Sequence, residues 1–250
     1  MSLNSSVCRF GQLTCRVIDA LPDDVPPSCF VVLNHGFGAP ADDLVDFGPM
    51  LIEADAAIAG SCRFVFPTAP IDLGPMGLPG GRAWWPINMA RLAQIHATQD
   101  FEQLTGLEPP GMSEAGDLLT AAIREMQRDW GFTDAQLVLG GFSQGAMVST
   151  HVMLSAPFTP ALLVLFSGTL LWRDHWSRLA TSHSGTAVLQ SHGKQDQILP
   201  FAAALQLRDF LIETGCAVEF LEFNGPHTIP TYVLQRLQER IEQCIRIGRE

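Results

Sequence analysis

The chain has 250 residues, 47% of them hydrophobic and 16% charged, a length and composition for one globular domain that needs neither disulfide nor metal to fold. Against 15 Lys and Arg stand 26 Asp and Glu, a formal charge of −11. Such a surface is repelled by nucleic acid phosphates and by anionic lipid, which argues against a nucleic-acid partner.

The opening residues carry no apolar run fit for a signal peptide, and no stretch is long and apolar enough to span a bilayer. A cytoplasmic location with no integral membrane segment is therefore expected. The six cysteines (Cys8, Cys15, Cys29, Cys62, Cys216 and Cys244) form no C-x-x-C pair, and no Cys/His group has zinc-ligand spacing. They are expected to be reduced, mostly buried thiols, with no metal bound.

In chain order, residues 10–18 suggest an antiparallel edge strand. Short apolar runs follow at 29–33, 63–66, 137–139, 162–166, 187–189 and 218–223, each bounded by Gly, Pro, Asn or Ser. Continuous runs of this length fit strands buried on both faces of a parallel sheet. Helical periodicity lies between them. Ala115, Leu118, Leu119, Ala122, Ile123, Met126 and Trp130 recur at three- and four-residue steps, with Ser113 as the expected N-cap. Pro200 opens a second helix through Phe201, Leu205 and Phe210, and a last one carries Leu234, Leu237, Ile241 and Ile245. Alternating strand and helix make the class α/β with a mostly parallel sheet. Residues 67–112 break the alternation with a Pro- and Gly-dense stretch, Trp84 and Trp85, and a helical pattern near 89–101. Long irregular connections in compact domains are usually functional, so this one is read as a lid or groove wall within a single domain spanning 1–250.

The chemistry centres on Gly141-Phe142-Ser143-Gln144-Gly145, a G-x-S-x-G between an expected strand and an expected helix. In that context the serine sits on a strained turn with its hydroxyl at a helix N-terminus. Serine needs a base, and the base an orienting acid, in the chain order Ser, acid, His. Of the seven histidines, His227 alone lies beyond the last apolar run, in a Gly-Pro loop. Between Ser143 and His227 the acid candidates are Asp174, Asp196, Asp209, Glu213, Glu219 and Glu222. Asp196, just after the run at 187–189, is favoured, with Asp174 as the fallback. The oxyanion donors are the backbone N–H groups of Gln144, in the elbow, and of Phe37, in the Gly-rich loop after residues 29–33. Because that donor is backbone, the Gln144 side chain is expected to matter little. His192 is read as bracing the acid loop, His35 the oxyanion loop, and His151 as a helix residue after the elbow. His96, His175 and His183 are read as surface or lid residues.

Together these pieces resemble the carboxylesterase, phospholipase and acyl-protein thioesterase family of α/β-hydrolases. The matching elements are His35-Gly36-Phe37-Gly38, Pro67-Thr68-Ala69-Pro70, Ala83-Trp84-Trp85, the elbow at Gly141 to Gly145, His192 to Asp196 followed by Leu199-Pro200, and His227. The chain departs from the family pattern at Ala146, where a second glycine is frequent, at Pro86, and at Ala39-Pro40-Ala41. The resemblance implies an α/β-hydrolase fold with helices on both faces of the sheet. It also implies a serine hydrolase that cleaves carboxylic esters or thioesters through an acyl-enzyme and needs no cofactor. Its expected partner is a small-molecule ester or thioester, and the oligomeric state is left open, a homodimer being admitted. Met76, Leu78, Trp84 and Trp85 are the expected substrate-groove residues. A second reading is a non-catalytic protein that binds a hydrophobic ligand on the same fold.

Overall fold

The computed structural model describes residues 2–22, 24–88, 90, 95, 105–106, 109–180 and 183–247. An eight-stranded sheet runs in the order β1-β2-β4-β3-β7-β8-β9-β10. Its strands are β1 (Asn4–Phe10), β2 (Leu13–Asp19), β3 (Cys29–Asn34), β4 (Cys62–Pro67), β7 (Leu137–Phe142), β8 (Leu162–Phe166), β9 (Ala187–Gly193) and β10 (Ala217–Phe223). The pairs β1–β2 and β2–β4 are antiparallel, and every pair from β4 to β10 is parallel. A small hairpin of β5 (Ile71–Asp72) and β6 (Arg82–Ala83) stands apart as a second sheet.

The helices are α1 (Phe47–Ala54), α2 (Ala56–Ala59), α3 (Met112–Trp130), α4 (Gln144–Ser155), α5 (Arg173–Leu179), α6 (Phe201–Glu213) and α7 (Thr231–Ile247). They cover both faces, and the strand residues sort between two cores with the period of two that a pleated strand requires. Phe30, Val32, Leu137, Leu139, Leu163 and Leu165 face the core under α3, α4 and α6. Val31, Leu33, Val138, Leu162, Val164 and Phe166 face the core under α1, α2 and α7. All of these side chains are at most 1% exposed. Burial on both faces explains why the central strands read as unbroken apolar runs.

The expected faces of α3 and α7 are those found, whereas along α6 Phe210 is buried and Phe201 and Leu205 are half-buried. Ala115, Leu119, Ala122, Ile123 and Met126 of α3 are buried, as are Leu234, Leu237, Ile241 and Ile245 of α7. Two local expectations need correction. The edge of the sheet is a hairpin of two strands, folded at Gly11 with φ 55°, and not a single strand at 10–18. The N-cap of α3 is Gly111, left-handed at φ 87° against Trp85 and Pro86, and not Ser113. Within 67–112, the strands of the β5–β6 hairpin are joined through a 3-10 turn at Gly74–Met76. The helix expected near 89–101 falls mostly outside the described residues. Among the described residues, no helix is long and apolar enough to cross a membrane.

Candidate active site

The parallel strands all end on one edge of the sheet, which is where open α/β sheets place their chemistry. Ser143 follows β7 there and caps α4, with φ 56° and ψ −118°. For a residue with a Cβ this is a strained conformation, and it lifts the side chain out of the turn. The turn is held by its surroundings: Ser143 N–H donates to Phe166 C=O of β8 at 2.8 Å. A Cβ on Gly145 would stand 1.9 Å from Asn34 C=O, so only glycine lets α4 approach β3 this closely. Beneath the turn, the buried Asn34 amide donates to Gly140 C=O (3.0 Å) and to Ser149 Oγ (2.9 Å), and Ser149 Oγ–H donates to Gly145 C=O (2.7 Å).

The acid and the histidine come from neighbouring strand ends. Asp196 Oδ2 accepts from His227 Nδ1–H at 2.6 Å and from His192 Nε2–H at 3.2 Å. Asp196 Oδ1 accepts the N–H groups of Ile198 and Leu199, each at 2.8 Å. His192 Nε2–H also points at Leu199 C=O, 2.8 Å away. Burial alone would raise the pKa of Asp196. The hydrogen bonds from His192 and His227, the Leu199 N–H and the nearby His227 charge outweigh it and hold the carboxyl well below the usual carboxylate range. Its loop is locked to the His227 loop through backbone: Lys194 N–H to Phe223 C=O (2.8 Å) and Gln195 N–H to Gly225 C=O (3.0 Å). At Gly193 a Cβ would meet Gly225 C=O at 2.3 Å and Pro226 C=O at 2.5 Å. The His227 ring packs at 46° against Phe142, the residue immediately before Ser143, with centroids 4.6 Å apart. Asp174, the fallback acid, is exposed in the first turn of α5.

The third element is the loop after β3. At Gly36 a Cβ would sit 3.2 Å from Ser143 Cβ, so this loop packs directly on the serine and carries Phe37 beside it. His35 braces the loop. Its Nε2 accepts Ala69 N–H at 3.1 Å, which assigns the ring proton to Nδ1 for donation to Gly36 C=O at 2.9 Å. Burial, chiefly, lowers the His35 pKa and keeps that neutral tautomer. Arg82, which the sequence reading did not single out, fastens the Pro67–Pro70 stretch by donating to Ala69 C=O (2.9 Å) and Pro70 C=O (3.0 Å). The local signal for it was weak: one arginine in a Gly-rich segment.

Gln144, the other expected donor, begins α4, so its N–H is among those a helix leaves without an intrahelical partner. Trp84 and Trp85 are 1% and 3% exposed and belong to the core under α3 and α4, whereas Met76 and Leu78 stand open at the surface. Of the remaining histidines, His151 is buried in α4 and accepts Trp176 Nε1–H at 3.2 Å. His175 stacks on Trp172, centroids 3.7 Å apart. His183 corrects the surface expectation. It is buried between Thr159 Oγ1 and Leu154 C=O, each 3.2 Å from a ring nitrogen, and burial lowers its pKa. His96 lies outside the described residues. Among those residues, no group of three His, Cys, Asp or Glu side chains is placed to hold a metal ion.

A strained serine at a strand-to-helix turn, with a carboxylate-held histidine on the same sheet edge, is the arrangement of the α/β-hydrolases. Residues 20–245 match the phospholipase/carboxylesterase family. The chain belongs to that family of serine hydrolases. It is 29% identical to acyl-protein thioesterase 1 of Eremothecium gossypii over 182 residues, covering 72% of this chain and 71% of that protein. It is 29% identical to acyl-protein thioesterase 1 of Yarrowia lipolytica, covering 77% and 80%. Among solved structures, the esterase PE8 superposes with a TM-score of 0.72 at 24% identity, covering 98% of this chain and all of that one. A carboxylesterase from Mesorhizobium loti superposes at 0.74 with 18% identity, covering 96% and 99%. These two likenesses concern the fold.

Proposed function

We propose that the protein hydrolyses small carboxylic esters or thioesters by acyl transfer to Ser143. The observation that carries this reading is the 2.6 Å bond from His227 to a fully buried Asp196 carboxylate, on the sheet edge where Ser143 is held at φ 56°. His227 takes the proton of Ser143 as the hydroxyl attacks the carbonyl carbon. Asp196 fixes the imidazole with its proton on Nδ1 and stabilises the imidazolium that forms. The backbone N–H groups of Phe37 and Gln144 receive the oxyanion. His227 then gives its proton to the leaving alcohol or thiol. A water, deprotonated in turn by His227, attacks the acyl carbon, and His227 returns that proton to the Ser143 oxygen as the acid is freed.

The surroundings suit an uncharged, apolar acyl group. Met76 and Leu78 project 65% and 46% exposed from the β5–β6 hairpin, whose base is bonded to the oxyanion loop through Gly38 and Ala39. Hydrolysis of p-nitrophenyl esters of increasing acyl length, with Ser143→Ala beside the wild type, tests the reading. Turnover by the wild type and none by the variant supports it, and the preferred length reports how far the acyl group extends. Equal rates from both proteins would refute it.

A further inference from the structure

The Gln144 carboxamide is fully buried and has two backbone partners. Oε1 accepts Trp84 N–H and Nε2 donates to Trp85 C=O, both at 2.9 Å. The side chain therefore stands in for a strand peptide, meeting one donor and one acceptor of the segment that leaves β6. That segment is tied on its other side to the oxyanion loop. Trp84 Nε1–H donates to His35 C=O at 3.0 Å, Gly38 N–H to Arg82 C=O at 2.9 Å, and Arg82 N–H to Ala39 C=O at 3.0 Å. Residues 82–85 thus form a strap. One end is bonded to the loop carrying Phe37, and the other to the side chain of the residue whose amide is the second oxyanion donor. The Trp84 and Trp85 rings anchor it in the core.

The worth of an oxyanion site depends on donors fixed in advance at the spacing of the developing charge, by supports that are themselves locked. Resting on the acyl-transfer reading above, we propose that the Gln144 side chain is a positioning residue. Its carboxamide locks the strap 82–85 across the gap between the Phe37 and Gln144 amides and so fixes the distance between the two donors. It acts through the backbone and touches no reacting atom. This reverses the sequence-based expectation that the side chain matters little.

Three variants test it, with a p-nitrophenyl ester as substrate and folding followed by circular dichroism. Gln144→Met keeps the volume and loses both hydrogen bonds. Its kcat is expected to fall on the order of 10²-fold, the effect of a misplaced group, with KM changed by no more than about threefold. Gln144→Glu keeps an acceptor for Trp84 N–H but turns a lone pair toward Trp85 C=O unless the carboxyl is protonated. Its kcat relative to wild type is therefore expected to climb as pH falls from about 9 to about 6, where protonation restores a donor. Trp84→Phe removes the bond to His35 C=O from the far end of the strap and is expected to lower kcat in the same direction. Wild-type kcat in a folded Gln144→Met protein would overturn the proposal. If that variant does not fold, a Glu-to-wild-type ratio that stays flat with pH overturns it instead. Failure of the underlying reading shows separately, as a wild-type enzyme without turnover, before any variant is compared.

Discussion

In the proposed mechanism Ser143, His227 and Asp196 each do a different job, so their variants are expected to give a graded series. Ser143→Ala and His227→Ala remove the attacking atom and its base, and each should cost on the order of 10⁴-fold or more in kcat. Asp196→Asn should cost less than either, though still orders of magnitude, since it spoils the tautomer but leaves the base in place. Near-normal rates for Asp196→Asn would return the role of acid to another carboxylate. His151 makes a prediction of a different kind. Burial first, and His175 second, push its pKa down to about 4 from an ordinary 6.5. The unfolded chain therefore accepts a proton between those values that the native ring refuses. The resulting stability is fully present above about pH 6.5 and is lost as pH falls toward 4, by roughly 3 kcal/mol at most. His35 and His183 act in the same direction. His151→Gln keeps an acceptor for the Trp176 indole, so urea unfolding between pH 7 and 4.5 should show a shallower loss than in the wild type. Identical slopes would contradict this assignment.

At the scale of elements, two glycines set how closely chain segments approach at the site. Gly145→Ala drives a Cβ into Asn34 C=O, a backbone atom that cannot yield, and should destabilise the fold at or beyond the upper end of the ~1–3 kcal/mol typical of overpacking. Gly193→Ala pushes on the carbonyls of Gly225 and Pro226, next to His227. It should lower kcat/KM by about 10²-fold or more through displacement of the imidazole, with far-UV circular dichroism retained. An active Gly193→Ala enzyme would mean that the two loops are not coupled as the hydrogen bonds between them indicate. The same elements show how far the sequence was legible. Strands buried on both faces announce themselves as apolar runs, so β3, β4, β7 and β8 were readable. The far ends of β7 and β9 were not: Gly140, Gly141, Gln190, Ser191 and His192 belong to the sheet, and polar and small residues gather there at the edge that bears the site. The strand β1 was missed because Asn4 to Val7 are exposed and carry no alternation. The N-cap of α3 went to Gly111 because the chain must turn left-handed past Trp85 and Pro86, a tertiary demand with no local signature beyond the glycine itself.

Over the whole molecule, a doubly covered sheet brings the ends of β3, β7, β9 and β10 to one edge, and with them residues more than 190 positions apart in the chain, from His35 to His227. Chain order and motif spacing pick out Ser143, Asp196 and His227 as candidates, since loops at strand ends are the positions a G-x-S-x-G sheet offers. What spacing did not convey was support. Arg82, the Gln144 carboxamide and the enclosed indole of Trp84 are tied to the rest of the site through backbone N–H and C=O groups, which are the same in every sequence. With a net charge of −11 no field of positive charge draws in a substrate, so the proposed mechanism relies on apolar contact and the two oxyanion donors. The most direct test of the central claim is to label the intact protein with a fluorophosphonate and locate the adduct by peptide mass spectrometry. A single adduct on Ser143, formed quickly in the wild type and slowly in His227→Ala, is the expected result. No adduct, an adduct on another serine, or labelling indifferent to His227 would contradict it.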